Sequence, residues 1–154
     1  MLISFTCSHG IARPQSETDG EAGAEIIDPL MIMAWEEMEF GSIAPDPQEA
    51  GTVTLTTAGV RTCTANLTCL ATPRAGKFSV TGQADATYSI SLPNSITINN
   101  GPASMLVDDL SPSHTIGVLA EGYDEFMVGG ILHVAGNQTP GAYIGAYTVT
   151  VEYQ

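Results

Sequence analysis

The chain has 154 residues, enough for one domain with a real core and too few for two comfortable ones. Seventeen Asp or Glu face only four Lys or Arg, and the net charge of −13 excludes ordinary binding to nucleic acid or anionic lipid, whose phosphates it repels. No apolar run approaches the roughly 20 residues of a membrane-spanning helix, so no membrane insertion is expected, and plentiful Thr, Ser, Gly, Asn and Pro with scarce Lys is the composition of an exported β-protein.

Residues 1–12 come first. Met1, Ile3, Phe5, Cys7 and Ile11 hold odd positions against Ser4, Thr6, Ser8 and Gly10 on even ones, with Leu2 and His9 as exceptions. That alternation is a strand pattern. The same stretch, with small residues at Gly10 and Ala12, can also be read as the tail of a signal peptide, though it lacks a basic start and a continuous apolar run. Residues 13–25 are acidic and almost free of large apolar side chains, so they form an expected flexible linker that cannot hold one conformation alone.

Residues 26–154 read as short β-runs separated by turn chemistry. Residues 29–33 and 38–43 form one strand interrupted at Trp35-Glu36-Glu37, a place for a bend or bulge rather than a helix, and Pro45-Asp46-Pro47 stops it. Val53 and Leu55 alternate with threonines, Phe78 and Val80 alternate before Gly82, and Tyr88, Ile90 and Leu92 do so before Pro93-Asn94. Ile96 and Ile98 follow, closed by the turn residues Asn99-Asn100-Gly101. Residues 105–110, 114–120 and 126–135 supply three more candidates. After a turn at 137–141, the last segment alternates most strictly. Tyr143, Tyr147, Val149, Val151 and Tyr153 share one face of a C-terminal strand, and Thr148, Thr150, Glu152 and Gln154 share the other. No long window shows the 3.6-residue period. Eight or nine short strands predict an all-β, antiparallel β-sandwich with Greek-key connections, and a jelly roll is the nearest rival.

Little in the sequence suggests chemistry. His9, His114 and His133 lie in separate segments without the spacing of a zinc or catalytic site. The carboxylates Glu36, Glu37, Glu39, Asp108 and Asp109 lack the alternating ligands and turn glycine of a calcium loop, and read as solvated faces. No Gly-x-Ser-x-Gly elbow occurs, and Gly129-Gly130 lacks the Lys or helix of a phosphate cradle. No enzyme activity, metal or cofactor is therefore expected. Cys63 and Cys69, with five residues between them, can be bridged across a tight turn or remain two buried thiols; the bridge is expected in an exported protein. Cys7 is then unpaired, and an apolar strand face would bury it. Trp35, the sole tryptophan, reads as core or interface filler.

Pro29-Leu30-Met31-Ile32, Met38-Glu39-Phe40-Gly41-Ser42-Ile43, Gly51-Thr52-Val53-Thr54, Phe78-Ser79-Val80-Thr81-Gly82 and Asn137-Gln138-Thr139-Pro140-Gly141-Ala142-Tyr143 together resemble a bacterial domain-of-unknown-function family. That family is itself similar to spore coat protein U and to the pilins of archaic chaperone–usher systems. The resemblance implies an immunoglobulin-like, pilin-like sandwich over residues 27–154, lacking one strand that a neighbour's N-terminal extension donates. Archaic pilins carry a cysteine early in the first strand, where this chain has Met31 and Ile32.

Joined to the orphan strand at the N-terminus, this implies a structural subunit of an extracellular bacterial filament, exported through the periplasm and polymerised with identical subunits. Ile3, Phe5, Cys7 and Ile11 would fill the neighbour's groove, and a periplasmic chaperone and outer-membrane usher are the implied partners. The alternative is a secreted binding module or adhesin domain, with Trp35, Tyr88 and Tyr123 as the aromatics available for a surface patch. A hydrolase on a jelly-roll scaffold would need paired carboxylates across a cleft.

Overall fold

The computed structural model describes residues 16–154. Residues 16–30 carry no regular secondary structure, and from Met31 onward the described chain contains strands and turns but no helix. In chain order the strands are β1 (Met31–Glu36), β2 (Ser42–Ala44), β3 (Gly51–Leu55), β4 (Arg61–Cys63), β5 (Thr68–Leu70) and β6 (Gly76–Thr81). They continue with β7 (Thr87–Ser91), β8 (Ser95–Asn100), β9 (Ala103–Pro112), β10 (Ile116–Val118), β11 (Tyr123–Val134) and β12 (Thr150–Tyr153).

All the pairings are antiparallel. A seven-stranded sheet runs β1-β6-β11-β3-β4, with β9 also on β11 and β8 on β9. A second sheet runs β10-β7-β12, and β2 pairs with β5 in a small ribbon. The large sheet curls about β11, whose first half pairs with β6 while its second half is flanked by both β3 and β9. The result is an all-β, antiparallel, pilin-like sandwich with Greek-key-style strand order.

Period-two alternation sends one set of side chains inward from each sheet. Val53 and Leu55 of β3, Val80 of β6, Val107 of β9 and Phe126, Val128 and Leu132 of β11 meet Tyr88 and Ile90 of β7 in one buried core. Phe78 stacks on Phe126 with ring centroids 5.3 Å apart. The interruption expected near Trp35 is a register shift between Ala34 and Glu36 where β1 pairs with β6, a bulge that lets the strand turn without breaking.

Three features differ from the sequence expectation. Residues 42–44 do not continue β1 but form β2, paired with β5 in the separate ribbon. β4 and β5 each carry one of the bridged cysteines and have three residues, too short to show a period. The C-terminal alternation is longer than the C-terminal strand: regular pairing covers Thr150–Tyr153, and Ile144 makes only an isolated bridge to Asn99 of β8. Tyr143, Tyr147 and Val149 therefore lie outside β12, because the chain leaves β8 at Ile144 and reaches β7 only at Thr150.

Candidate functional site

The first and last strands of the described chain each lie at the edge of their sheet. Among the described residues, β1 pairs with β6 alone and β12 pairs with β7 alone, so each presents a free edge of backbone N–H and C=O groups. The inward side chains of this flank, Leu30, Ile32 and Met38 on one side and Tyr147, Val149, Val151 and Tyr153 on the other, pack against the core but are only half-buried. The same alternation in β3 or β11 ends in full burial. This flank therefore combines two free strand edges with half-buried apolar side chains.

Two tyrosines pin this flank. At one end the Tyr153 hydroxyl donates to the Asp28 carbonyl at 2.8 Å and accepts the Gln83 N–H at 2.7 Å. Gly82 makes this possible, because a Cβ there would collide with that hydroxyl. At the other end Tyr147 meets Phe78 edge-on, with centroids 6.1 Å apart, and burial pushes its phenol up to about 12. Tyr143, farther back, donates to the Thr139 carbonyl at 2.6 Å and fixes the preceding turn.

The cysteines sit on the opposite flank. Cys63 of β4 and Cys69 of β5 are joined, Cα to Cα 6.6 Å, and the bridge ties the large sheet to the β2–β5 ribbon. Cys7, Ile3, Phe5 and Ile11 lie outside the described residues.

The polar clusters are dispersed. Tyr88, a proposed surface aromatic, is instead fully buried, and its hydroxyl donates to Asp124 Oδ2 at 2.9 Å, linking the two sheets. Burial and the Asp124 hydrogen bond push its phenol far up. His114 Nε2 lies 3.2 Å from the same carboxylate oxygen, in an approach too oblique to give this buried nitrogen a hydrogen bond. His133 pairs with Asp108 at 2.9 Å on the outer face. Among the described residues no three His, Cys, Asp or Glu side chains converge to hold a metal.

Trp35 is not core. Its side chain lies on the outer face of the large sheet, and the indole Nε1–H donates to Ser79 Oγ at 2.7 Å. It follows the outward-facing Met31 and Met33 at the register shift of β1, where strand parity no longer fixes a side chain's face. The two free edges had no signal at all, since pairing partners are not written in a strand's own residues.

The family model described as domain of unknown function DUF4402 matches residues 30–153, and the chain belongs to that family. The match begins just before β1 and runs through β12, so it spans both free-edged strands. No curated protein and no solved structure matches the chain significantly.

Proposed function

We propose that this DUF4402 protein is a structural, non-catalytic subunit of an extracellular filament, polymerised when residues 1–12 of one copy enter the groove of the next. The observation that carries the reading is the pair of free edges flanking half-buried apolar side chains. An added strand satisfies the edge hydrogen bonds and buries those side chains in one step. The alternating Ile3, Phe5, Cys7 and Ile11 match such a groove in period. The linker, residues 13–25, can extend to about 45 Å at 3.3–3.6 Å per residue, ample reach to a neighbour.

Burying a strand's apolar side chains at about 25 cal/mol per Å² supplies on the order of 10 kcal/mol before ordering costs. A subunit whose own fold is incomplete needs a chaperone on its groove in the periplasm and an usher at the outer membrane; both partners belong to this reading, as does cell-surface localisation. The acidic linker makes neighbouring subunits repel at low ionic strength, so assembly is expected to speed up with moderate salt.

The test is a chain lacking residues 1–12. It is expected to be monomeric and less stable than the intact chain, and to regain stability when a peptide of residues 1–12 is added. The same peptide carrying Asp in place of Phe5 should fail, because a carboxylate loses its hydration in an apolar groove without gaining a partner. Filaments formed as readily by the truncated chain would place the polymer contact elsewhere.

A further inference from the structure

The outer face of β1, β6 and β11 carries four exposed large apolar or aromatic side chains. Met31 is 61% exposed, Met33 62%, Trp35 62% and Tyr123 44%. Register places them together: Met31 lies opposite Thr81 and Met33 opposite Ser79 on β6, while Tyr123 and Glu125 of β11 lie opposite those same two residues. Met31, Met33 and Tyr123 belong to the outward parity and Trp35 lies exposed at the bulge beside them, so none is needed by the core.

Both aromatic rings are held. The Trp35 indole is anchored by its N–H to Ser79 Oγ, whose residue it helps to keep at 6% exposure, and much of the ring surface remains in water. The Tyr123 hydroxyl donates to Glu125 Oε1, and the other oxygen of that carboxylate takes Lys77 Nζ at 3.0 Å. A row of Trp35, Ser79, Glu125 and Tyr123 therefore crosses three adjacent strands, about 10 Å at 4.7–4.9 Å per strand. Ring surface alternates along it with a carboxylate that accepts and an ammonium that donates.

From this row we infer that the outer face binds a neutral polysaccharide, laid across the strands with sugar rings on Trp35 and Tyr123 and hydroxyls on Glu125 and Lys77. The C–H face of a pyranose is the complement of the electron-rich ring face, and its equatorial hydroxyls suit charged partners at the ring edge. The rings are fixed before binding, so little ordering cost remains. The surface is flat and strand-built rather than a cavity, which suits an extended polymer more than a small ligand. Charge selects against acidic alternatives: at −13 the protein repels acidic glycans and anionic membranes, and the cation beside this row is already held by Glu125. This binding does not depend on polymerisation.

Trp35 is the sole tryptophan, so its emission reports on this site alone. Titrating the full chain with cellohexaose and with maltohexaose is expected to shift the emission to the blue with at least one of them. Retention on the matching insoluble glucan should accompany the shift, with none on alginate. Tyr123→Ala should weaken retention about tenfold and Trp35→Ala should abolish it, with unchanged circular dichroism; Trp35→Phe is the fallback should the alanine variant not fold, and should retain partial binding. No shift and no retention with either glucan would overturn the proposal. So would equal retention on alginate, or a Trp35→Ala chain that keeps its glycan but changes its oligomeric state, which would make the face a protein interface.

Discussion

The two flanks of the sandwich are written in the same residue alphabet and end in different states. Around β3, β6, β7 and β11 the alternating apolar residues are fully buried: Val53, Val80, Tyr88, Phe126 and Val128 have essentially no accessible surface. Along β1 and the C-terminal segment the same alternation leaves Ile32, Tyr147, Val149 and Val151 half in solvent. The far flank is further fastened by the covalent Cys63–Cys69 bridge, whereas the near one is pinned by the Tyr153 hydroxyl between Asp28 and Gln83 and by the edge-on contact of Tyr147 with Phe78. Burial belongs to the pairing partners a strand finds, and the near flank lacks one among the described residues.

The largest expected effect lies in the finished core. Phe126→Ala removes a buried ring that stacks on Phe78, and a loss of about 3–5 kcal/mol is expected in chemical denaturation. Val151→Ala trims a half-buried side chain and should cost about 1 kcal/mol or less in the chain lacking residues 1–12. Adding the peptide of residues 1–12 should enlarge the Val151→Ala effect and leave that of Phe126→Ala unchanged. Equal effects with and without the peptide would erase the distinction between the flanks.

The bridged flank gives an intermediate effect. Replacing Cys63 and Cys69 with serine opens a loop of sequence separation 6, and the chain-entropy relation gives about 2 kcal/mol for so short a loop. Loss of stability without loss of assembly is the expected outcome, since the bridge lies away from the groove. An assembly defect in the serine variant would mean that the ribbon of β2 and β5 takes part in the polymer contact.

Much of this fold was legible because its signals are local. Val53 and Leu55, Tyr88 and Ile90, and Phe126 and Val128 each announce a strand and its inward face by period two, and Asn99-Asn100-Gly101 announces the turn from β8 to β9. Three-residue strands such as β4 and β5 escape because period two needs four or more positions to be seen. The C-terminal segment misleads in the other direction, since Tyr147 and Val149 keep strand parity while the chain crosses between β8 and β7 without a ladder. Of the aromatics offered for a surface patch, Tyr88 is buried and Trp35, also read as core or interface filler, is exposed, for a related reason. Both are amphipathic aromatics, and which is buried depends on whether the polar end finds Asp124 between the sheets or Ser79 on the outside.

The smallest effect is silent at neutral pH and separates the flanks by titration. Burial raises the Tyr147 phenol from 10.0 to about 12, so the folded chain keeps this proton over a range in which the unfolded chain has lost it. Stability must then fall as pH rises from about 10 towards about 12, because the unfolded state binds fewer protons there. Tyr147→Phe keeps the edge-on contact with Phe78 and should remove this part of the alkaline slope while leaving unfolding at pH 7 nearly unchanged. A residual slope should persist from Tyr88, whose phenol is raised by burial in the finished core and by its bond to Asp124. The near flank adds a further expectation: a peptide of residues 1–12 that covers Tyr147 raises its phenol again, so the alkaline slope should extend to higher pH in the intact chain and not in Tyr147→Phe. A slope that ignores the peptide would mean that the strand does not lie over Tyr147, and the groove's occupied stretch would then have to end nearer Tyr153.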